Sequence, residues 1–335
     1  MKIVFATGPI DEKGGPAKYA THLAEQFVRQ GIKVKIVPFQ SSLPSGLRHL
    51  AYFLRLLFAL ISADAVLAFD TWSVGFPAVF AAKTLRKASI VRIGGDFLWE
   101  QYVERTGDMV KLSYFYQNAK DKLNSKEQTI FRGTGFLLRN ASVLAFNSQF
   151  QIETYRAAYG LSLQNAVVIE NVYPHKKENS DPTKKNFVAA GRALKLKQEA
   201  LLLQVFEELQ ETYPDITLDL EPLSPEEHQA RVASCYAVIL GSLSDVSPNV
   251  IIDAVIHERP FICTSDTGIK ERLENVGLFI DTQNKDALSR SIESLLDPSV
   301  YKKMKTQVKL FSFVRTWEDV SNDFLTAIRS CVSSR

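Results

Sequence analysis

Short apolar runs alternate with amphipathic helical segments along almost the whole chain, and no other feature restricts the fold as much. The first unit reads as a strand over residues 2–6, a loop to residue 15, a helix over 16–30 that Gly31 stops, and a strand over 33–39. Tyr19, Leu23 and Phe27 share one helical face, as the crossover helix of a βαβ unit requires. The alternation continues through a helix at 47–61, strands at 65–69, 89–93, 143–146 and 167–170, and helices at 76–85 and from 148 onward. A polar stretch over 174–186, PHKKENSDPTKKN, has linker composition. After it comes a second series: strands at 187–190 and 216–220, helices at 196–213 and from the capping box Ser224-Pro225-Glu227, and a buried strand at 260–264. The expectation is an α/β chain of two doubly wound, Rossmann-like domains, residues 1–173 and 187–315, with a closing helix over 316–335.

At 335 residues the chain is too long for one core and suits two domains of roughly 150 residues each. Hydrophobic residues make up 46% and charged residues 23%, which excludes a disordered chain. Cys235, Cys263 and Cys331 are widely spaced, so they predict buried thiols of a cytoplasmic protein, with neither a disulfide framework nor metal spacing. Lys2 leads at once into a strand, which predicts that no leader peptide opens the chain. The apolar run from Leu47 to Ile61 carries Arg48, His49 and Arg55 and is too short to span a bilayer. It reads as a helix covering a sheet, with an interfacial helix on an anionic membrane as the sharper alternative. Residues 1–172 hold 20 Lys and Arg against 13 Asp and Glu, a net +7 that leaves −4 for the remainder. That bias favours an anionic acceptor or lipid surface. No nucleic-acid partner is expected.

The densest chemistry lies between Ser242 and Ile280. There the sequence DVSPNVIID joins a loop to a helix: Ser247 reads as the N-cap, Pro248 as the first helical residue, and Val250, Ile251 and Ala254 as the apolar body. Asp245 precedes the helix and Asp253 follows eight residues later on its second turn. Crevices at the carboxyl ends of parallel strands are where such sheets bind ligands.

This stretch resembles the donor-site signature of the large family four of retaining GT-B glycosyltransferases, in which two acidic residues separated by seven others flank a Pro-Asn-Val helix start. Both acids are Asp here, where the family usually has Glu. Further upstream, the sequence GRALKLK is similar to the family's Gly-Arg, four residues, Lys pattern, so that Arg192 and Lys197 would reach one diphosphate; Gln198 replaces the usual Gly. Gly14 and Gly15, before a helix at Pro16, resemble the family's Gly-Gly loop, where bare backbone approaches the ligand. That loop has no G-x-G-x-x-G. Asp96, in GGDFLWE at a strand end, is a candidate catalytic or acceptor-binding acid, or else the cap of the next helix; Arg92 before it would pair an anion or serve the structure.

The resemblance implies a GT-B fold whose two domains face a central cleft, the first taking the acceptor, the second the nucleotide sugar, and the last helix crossing back to the first. It implies sugar transfer from a nucleotide-diphosphate donor to a hydroxyl of a glycan, lipid-linked or small-molecule acceptor, with retention, no metal and no resident cofactor. Arg192, Lys197, the Gly15 backbone and the helix start would meet the leaving diphosphate. Asp245 would hold the donor sugar and Asp253 the ribose, with Val246, Ser247, Pro248, Asn249 and Val250 around them. A sugar-nucleotide epimerase, a phosphorylase with a cofactor lysine and a non-catalytic sugar-nucleotide-binding module stay open.

Overall fold

The structure, a computed structural model, describes residues 1–9, 15–40, 44–189, 194–221 and 223–333. Two compact units emerge. The first comprises Met1–Leu98, Ala119–Val172 and Arg315–Arg335, the second Trp99–Asn118 and Tyr173–Val314.

The first unit contains β1 (Lys2–Thr7), α1 (Gly15–Arg29), β2 (Lys33–Pro38), α2 (Ser45–Ile61), β3 (Ala65–Ala68), α3 (Gly75–Thr84) and β4 (Ala88–Ile93). After α4 (Phe97–Thr106) and α5 (Leu112–Asn118) it resumes with α6 (Ser125–Asn140), β5 (Val143–Phe146), α7 (Gln149–Tyr159) and β6 (Ala166–Val168). Its sheet is parallel throughout, in the order β2-β1-β3-β4-β5-β6. Strands covered on both faces must be apolar on both, and Ile3, Val4, Phe5 and Ala6 of β1 are each 0% exposed. Val4 and Ala6 face one core with α2 and α3, while Ile3 and Phe5 face another with α1.

The second unit runs β7 (Lys185–Val188), α8 (Glu199–Gln210), β8 (Ile216–Asp219), α9 (Pro225–Ser234), β9 (Ala237–Leu240), α10 (Asn249–Ile256), β10 (Phe261–Thr264), α11 (Lys270–Leu273), β11 (Leu278–Ile280), α12 (Lys285–Leu296) and α13 (Pro298–Leu310). Its parallel sheet has the order β11-β10-β9-β7-β8. The last helix, α14 (Trp317–Ser333), belongs to the first unit. There Val320, Phe324, Leu325 and Ile328 join the α1 core, and the Trp317 ring meets Tyr19 edge-on at 4.9 Å. Burying four such side chains stabilises the unit by several kcal/mol, at about 1.5–3 kcal/mol each.

Residues 99–118 depart from the expected division, which kept them with the first unit. They are held to the second by polar contacts that periodicity does not encode: Lys195 Nζ donates to the Glu104 carbonyl at 2.8 Å, Gln283 to the Met109 carbonyl at 2.7 Å, and Lys111 pairs with Asp281 at 2.7 Å. The helix expected over 196–213 is also interrupted. Lys195–Lys197 form a 3-10 turn, Gln198 turns left-handed at φ 55°, and the α-helix begins only at Glu199.

Candidate functional site

The carboxyl end of the second sheet gathers loops that follow β7, β9, β10 and β11. After β9 the chain crosses close to the Lys197 turn at Gly241, where a Cβ would come within 2.8 Å of Leu202 and 3.2 Å of the Lys197 carbonyl. Only glycine fits that approach. The Leu243 amide donates to the Leu196 carbonyl at 2.9 Å, and Gln198 donates to the Gly241 carbonyl at 2.6 Å and to Thr282 Oγ1 at 3.3 Å. Two loops distant in sequence are thereby fixed to one another.

Asp245 is positioned by its backbone. It forms a parallel bridge with Thr267, donating to the Asp266 carbonyl at 3.1 Å and accepting from the Gly268 amide at 3.4 Å. Its carboxylate accepts from the Ser247 amide at 3.2 Å and from Lys197 Nζ at 3.4 Å. Both partners of that ion pair are half-buried, at 25% and 23% exposure. The sequence-predicted cation and the first acid therefore come together, 48 residues apart in the chain.

Asp253, on the second turn of α10, has a different partner. His228 on α9 meets it through Nε2 at 3.1 Å. Behind that contact, buried His257 lies between Asn179 Oδ1 and Gln229 Oε1, each at 2.9 Å, and burial together with nearby Lys177 lowers its pKa. A neutral ring donates from only one nitrogen, so one of the two amides must present its NH2 group.

The start of α10 differs by one residue from the expected one. Pro248 occupies the cap position with φ −70° and ψ 110°, Asn249 is the first helical residue, and no side chain caps the helix. Proline's fixed φ is compatible with either place, but its ψ here is extended, so Ser247 lies one residue too early to cap. The Ile251 and Ile252 amides donate to the Pro248 carbonyl, and among the described residues those of Asn249 and Val250 are left for other acceptors, the arrangement in which helix starts hold anions. Val246 and Pro248 are buried, Ser247 and Val250 half-buried and Asn249 exposed.

Gly15 opens α1 in the first unit, with no atom within 4 Å of the Cβ it lacks. Gly14 and Arg192 lie outside the described residues. Asp96 directly precedes α4 and is 2% exposed. A second strand-end acid, Asp70, escaped the sequence reading. Its Oδ1 accepts the amides of Trp72, Val74 and Gly75, each at 2.9 Å, and burial raises its pKa against those bonds. His228 and Asp266 were also missed. Asp266 reads as a turn residue, yet its carboxylate accepts from Ser244 Oγ and, at 3.3 Å, from the Ser113 amide, which anchors the loop carrying Asp245. Its place in an Asp-Thr-Gly turn just after a buried strand was the available signal for it.

Among known proteins, no family model matches this chain, and no curated protein matches its sequence. Solved structures do. Sucrose-phosphate synthase from Thermosynechococcus elongatus superposes with a TM-score of 0.70 over 100% of both chains at 13% identity. HepE of Anabaena, solved with UDP-glucose, gives 0.67 over 100% of this chain and 99% of that one at 15% identity. The chain has the GT-B fold. A candidate UDP-N-acetylglucosamine 2-epimerase from Listeria monocytogenes, 15% identical, also superposes, with a TM-score of 0.64 over 100% of this chain and 97% of that one. At these identities the likeness is one of fold.

Proposed function

We propose that this protein is a retaining glycosyltransferase that moves a sugar from a nucleotide-diphosphate donor to an acceptor hydroxyl, without a metal or resident cofactor. The meeting of Lys197 with Asp245 beside the uncapped start of α10 carries the reading. A diphosphate leaving group develops negative charge as the glycosidic bond breaks, so catalysis consists largely of stabilising it. Lys197, Arg192 and the free amides at Asn249 and Val250 supply that stabilisation, with Gly15 allowing close backbone approach. Asp245 holds the sugar that becomes cationic; Asp253, oriented by His228, holds the ribose; Asp96 acts on the acceptor side. Front-face departure and attack need no second carboxylate as nucleophile. The UDP-glucose of the HepE structure supports a nucleotide-sugar donor.

Calorimetric titration with nucleoside diphosphates tests the donor site. Arg192→Ala with Lys197→Ala should abolish measurable binding and transfer, and unchanged affinity would sink the assignment. Transfer should persist in chelator. Epimerisation is the second reading, favoured by the Listeria neighbour; a sugar nucleotide converted to its epimer without acceptor would establish it.

The first unit also carries a surface suited to the cytoplasmic face of an anionic membrane. On α2, Leu47, Leu50, Leu54, Phe58 and Ile61 recur at helical spacing and remain 59%, 56%, 43%, 71% and 62% exposed. Phe80 of α3 is 45% exposed and contacts Phe53 of α2, and Lys83, Arg86 and Lys87 follow it. Among the described residues no helix is long and apolar enough to cross a membrane. Apolar side chains bordered by cations suit an interfacial position. Phe58→Glu should release the protein from anionic vesicles, and equal sedimentation of both forms would refute the contact.

A further inference from the structure

At the carboxyl edge of the first sheet, several buried polar atoms have no hydrogen-bond partner among the described residues. Arg92, at the end of β4, is 6% exposed. One terminal nitrogen donates to Asn171 Oδ1 at 3.0 Å, and the guanidinium carbon lies 3.6 Å from the centre of the Tyr19 ring. Its Nε has no acceptor, and among the described residues no carboxylate pairs with it. Among the described residues, the Tyr19 hydroxyl and Asn147 Oδ1 are likewise buried and without a hydrogen-bond partner. Tyr19 and Asn147 both border the guanidinium. Asn147 donates to the Gly94 carbonyl at 3.3 Å, and Gly94 lies so close beneath the guanidinium that a Cβ there would come within 2.4 Å of it.

A guanidinium taken out of water without an anion is costly, as is each buried polar group left unbonded. We propose that Arg92 and Tyr19 bind an oxyanion, a phosphate or carboxylate carried by the acceptor. The inference rests on the reading of the first unit as the acceptor domain. One edge of the guanidinium can donate from Nε and a terminal nitrogen to two oxygens of the same group, and the Tyr19 hydroxyl adds a third donor. Asn147 Oδ1 accepts from a hydroxyl beside it. The +7 charge of residues 1–172 draws such an acceptor in. The chain has its own rival anions, Asp11 and Glu12, in the segment between β1 and α1 outside the described residues.

The experiment titrates the full chain, in saturating UDP to block the donor site, with glucose 6-phosphate, glucuronate and glucose, and measures binding to phosphatidic acid against phosphatidylcholine vesicles. At least one anionic probe should bind where glucose does not. Arg92→Gln should weaken it by roughly tenfold or more and Tyr19→Phe by about threefold, since a charged and a neutral donor are removed. Preference for the soluble probes assigns the oxyanion to a soluble acceptor; an Arg92-dependent preference for phosphatidic acid assigns it to a lipid phosphate. The proposal is overturned if the anionic probes bind no better than glucose, or if Arg92→Gln binds them like the parent. It is equally overturned if Asp11→Asn with Glu12→Gln raises their affinity tenfold, because the chain's own carboxylates then neutralise Arg92. Should Arg92→Gln fail to fold, Tyr19→Phe decides, since it removes only an unpartnered hydroxyl. UDP binding by the parent is read separately: its absence refutes the donor site and leaves the oxyanion result standing.

Discussion

Gln198 occupies a backbone conformation that suits glycine, and its side chain compensates for what its backbone costs. At φ 55° and ψ 36° it is left-handed, which for a residue with a Cβ costs about 1 kcal/mol or somewhat more. Its amide donates to the Gly241 carbonyl at 2.6 Å and to Thr282 Oγ1 at 3.3 Å. Two such bonds contribute roughly 0.5–1.5 kcal/mol each. Gln198→Gly removes both strain and bonds and leaves the Gly241 carbonyl unpaired, so it should destabilise by about 0–2 kcal/mol. Gln198→Ala keeps the strain, loses the bonds and leaves a buried carbonyl unpaired, so it should destabilise by about 1–3 kcal/mol. The alanine variant should therefore melt about 2–4 °C below the glycine variant, the shift expected of about 1 kcal/mol in a unit of this size. Scanning calorimetry measures the difference directly. Equal melting temperatures for the two variants would refute the reasoning, because the left-handed backbone would then carry no cost. Lys197 immediately precedes this residue, so the alanine variant should also bind nucleoside diphosphate more weakly than the glycine variant.

His257 should make stability pH-dependent. Its folded pKa lies below the ordinary 6.5, so the unfolded chain binds the proton first; the stabilisation is complete above pH 6.5 and is lost as pH falls through the folded pKa. His257→Gln should flatten urea-unfolding stability across that window, and an unchanged slope would refute the assignment. The two aspartates should separate kinetically. Asp253→Asn should raise the donor KM with kcat nearly intact, since a ribose contact is equal in ground and transition states, and His228→Ala should do the same more weakly. Asp245→Asn should lower kcat by about tenfold per 1.4 kcal/mol of transition-state interaction lost, and parent-like turnover by Asp245→Ala would favour the non-catalytic reading.

The periodic part of the fold is legible because parallel strands and their crossover helices must each bury apolar surface. Ile3 to Ala6 and Ala237 to Leu240 read directly as buried strands, and the Ser224-Glu227 capping box places α9 to the residue. Legibility fails where single polar contacts decide. Nothing in the spacing of residues 99–118 says that Leu112 and Ser113 donate to Ser244 and Asp266, 132 and 153 residues away. At the site, the cation and the acids are marked by type and by their place at strand ends and a helix start. Their partners are not, since His228 is only one polar residue on an amphipathic helix until α9 and α10 pack. Gln198 illustrates the same limit from the other side: its substitution for glycine is visible in the sequence, but the bonds that make it tolerable depend on where β9 and β11 end.

The short side chain of Asp245 takes its physical meaning from how its backbone is held. An aspartate carboxylate reaches less far than a glutamate's, so any sugar it is to hold must come to it, and its backbone must be held without relying on the side chain. The Asp266 carbonyl and the Gly268 amide hold that backbone, and Asp266 is fixed in turn by Ser244 and the Ser113 amide. The ion pair with Lys197 adds little to this: at 3.4 Å and about a quarter exposed on each side, it contributes on the order of 0–1 kcal/mol. On the proposed donor site, a diphosphate offering two negative charges to Lys197 and the α10 amides would outcompete so weak a pair at small cost. In the proposed reaction, Asp245 would be freed to turn toward the sugar as the phosphates take its partner. The loop stays in place, because the groups that hold it belong to its backbone and to Asp266.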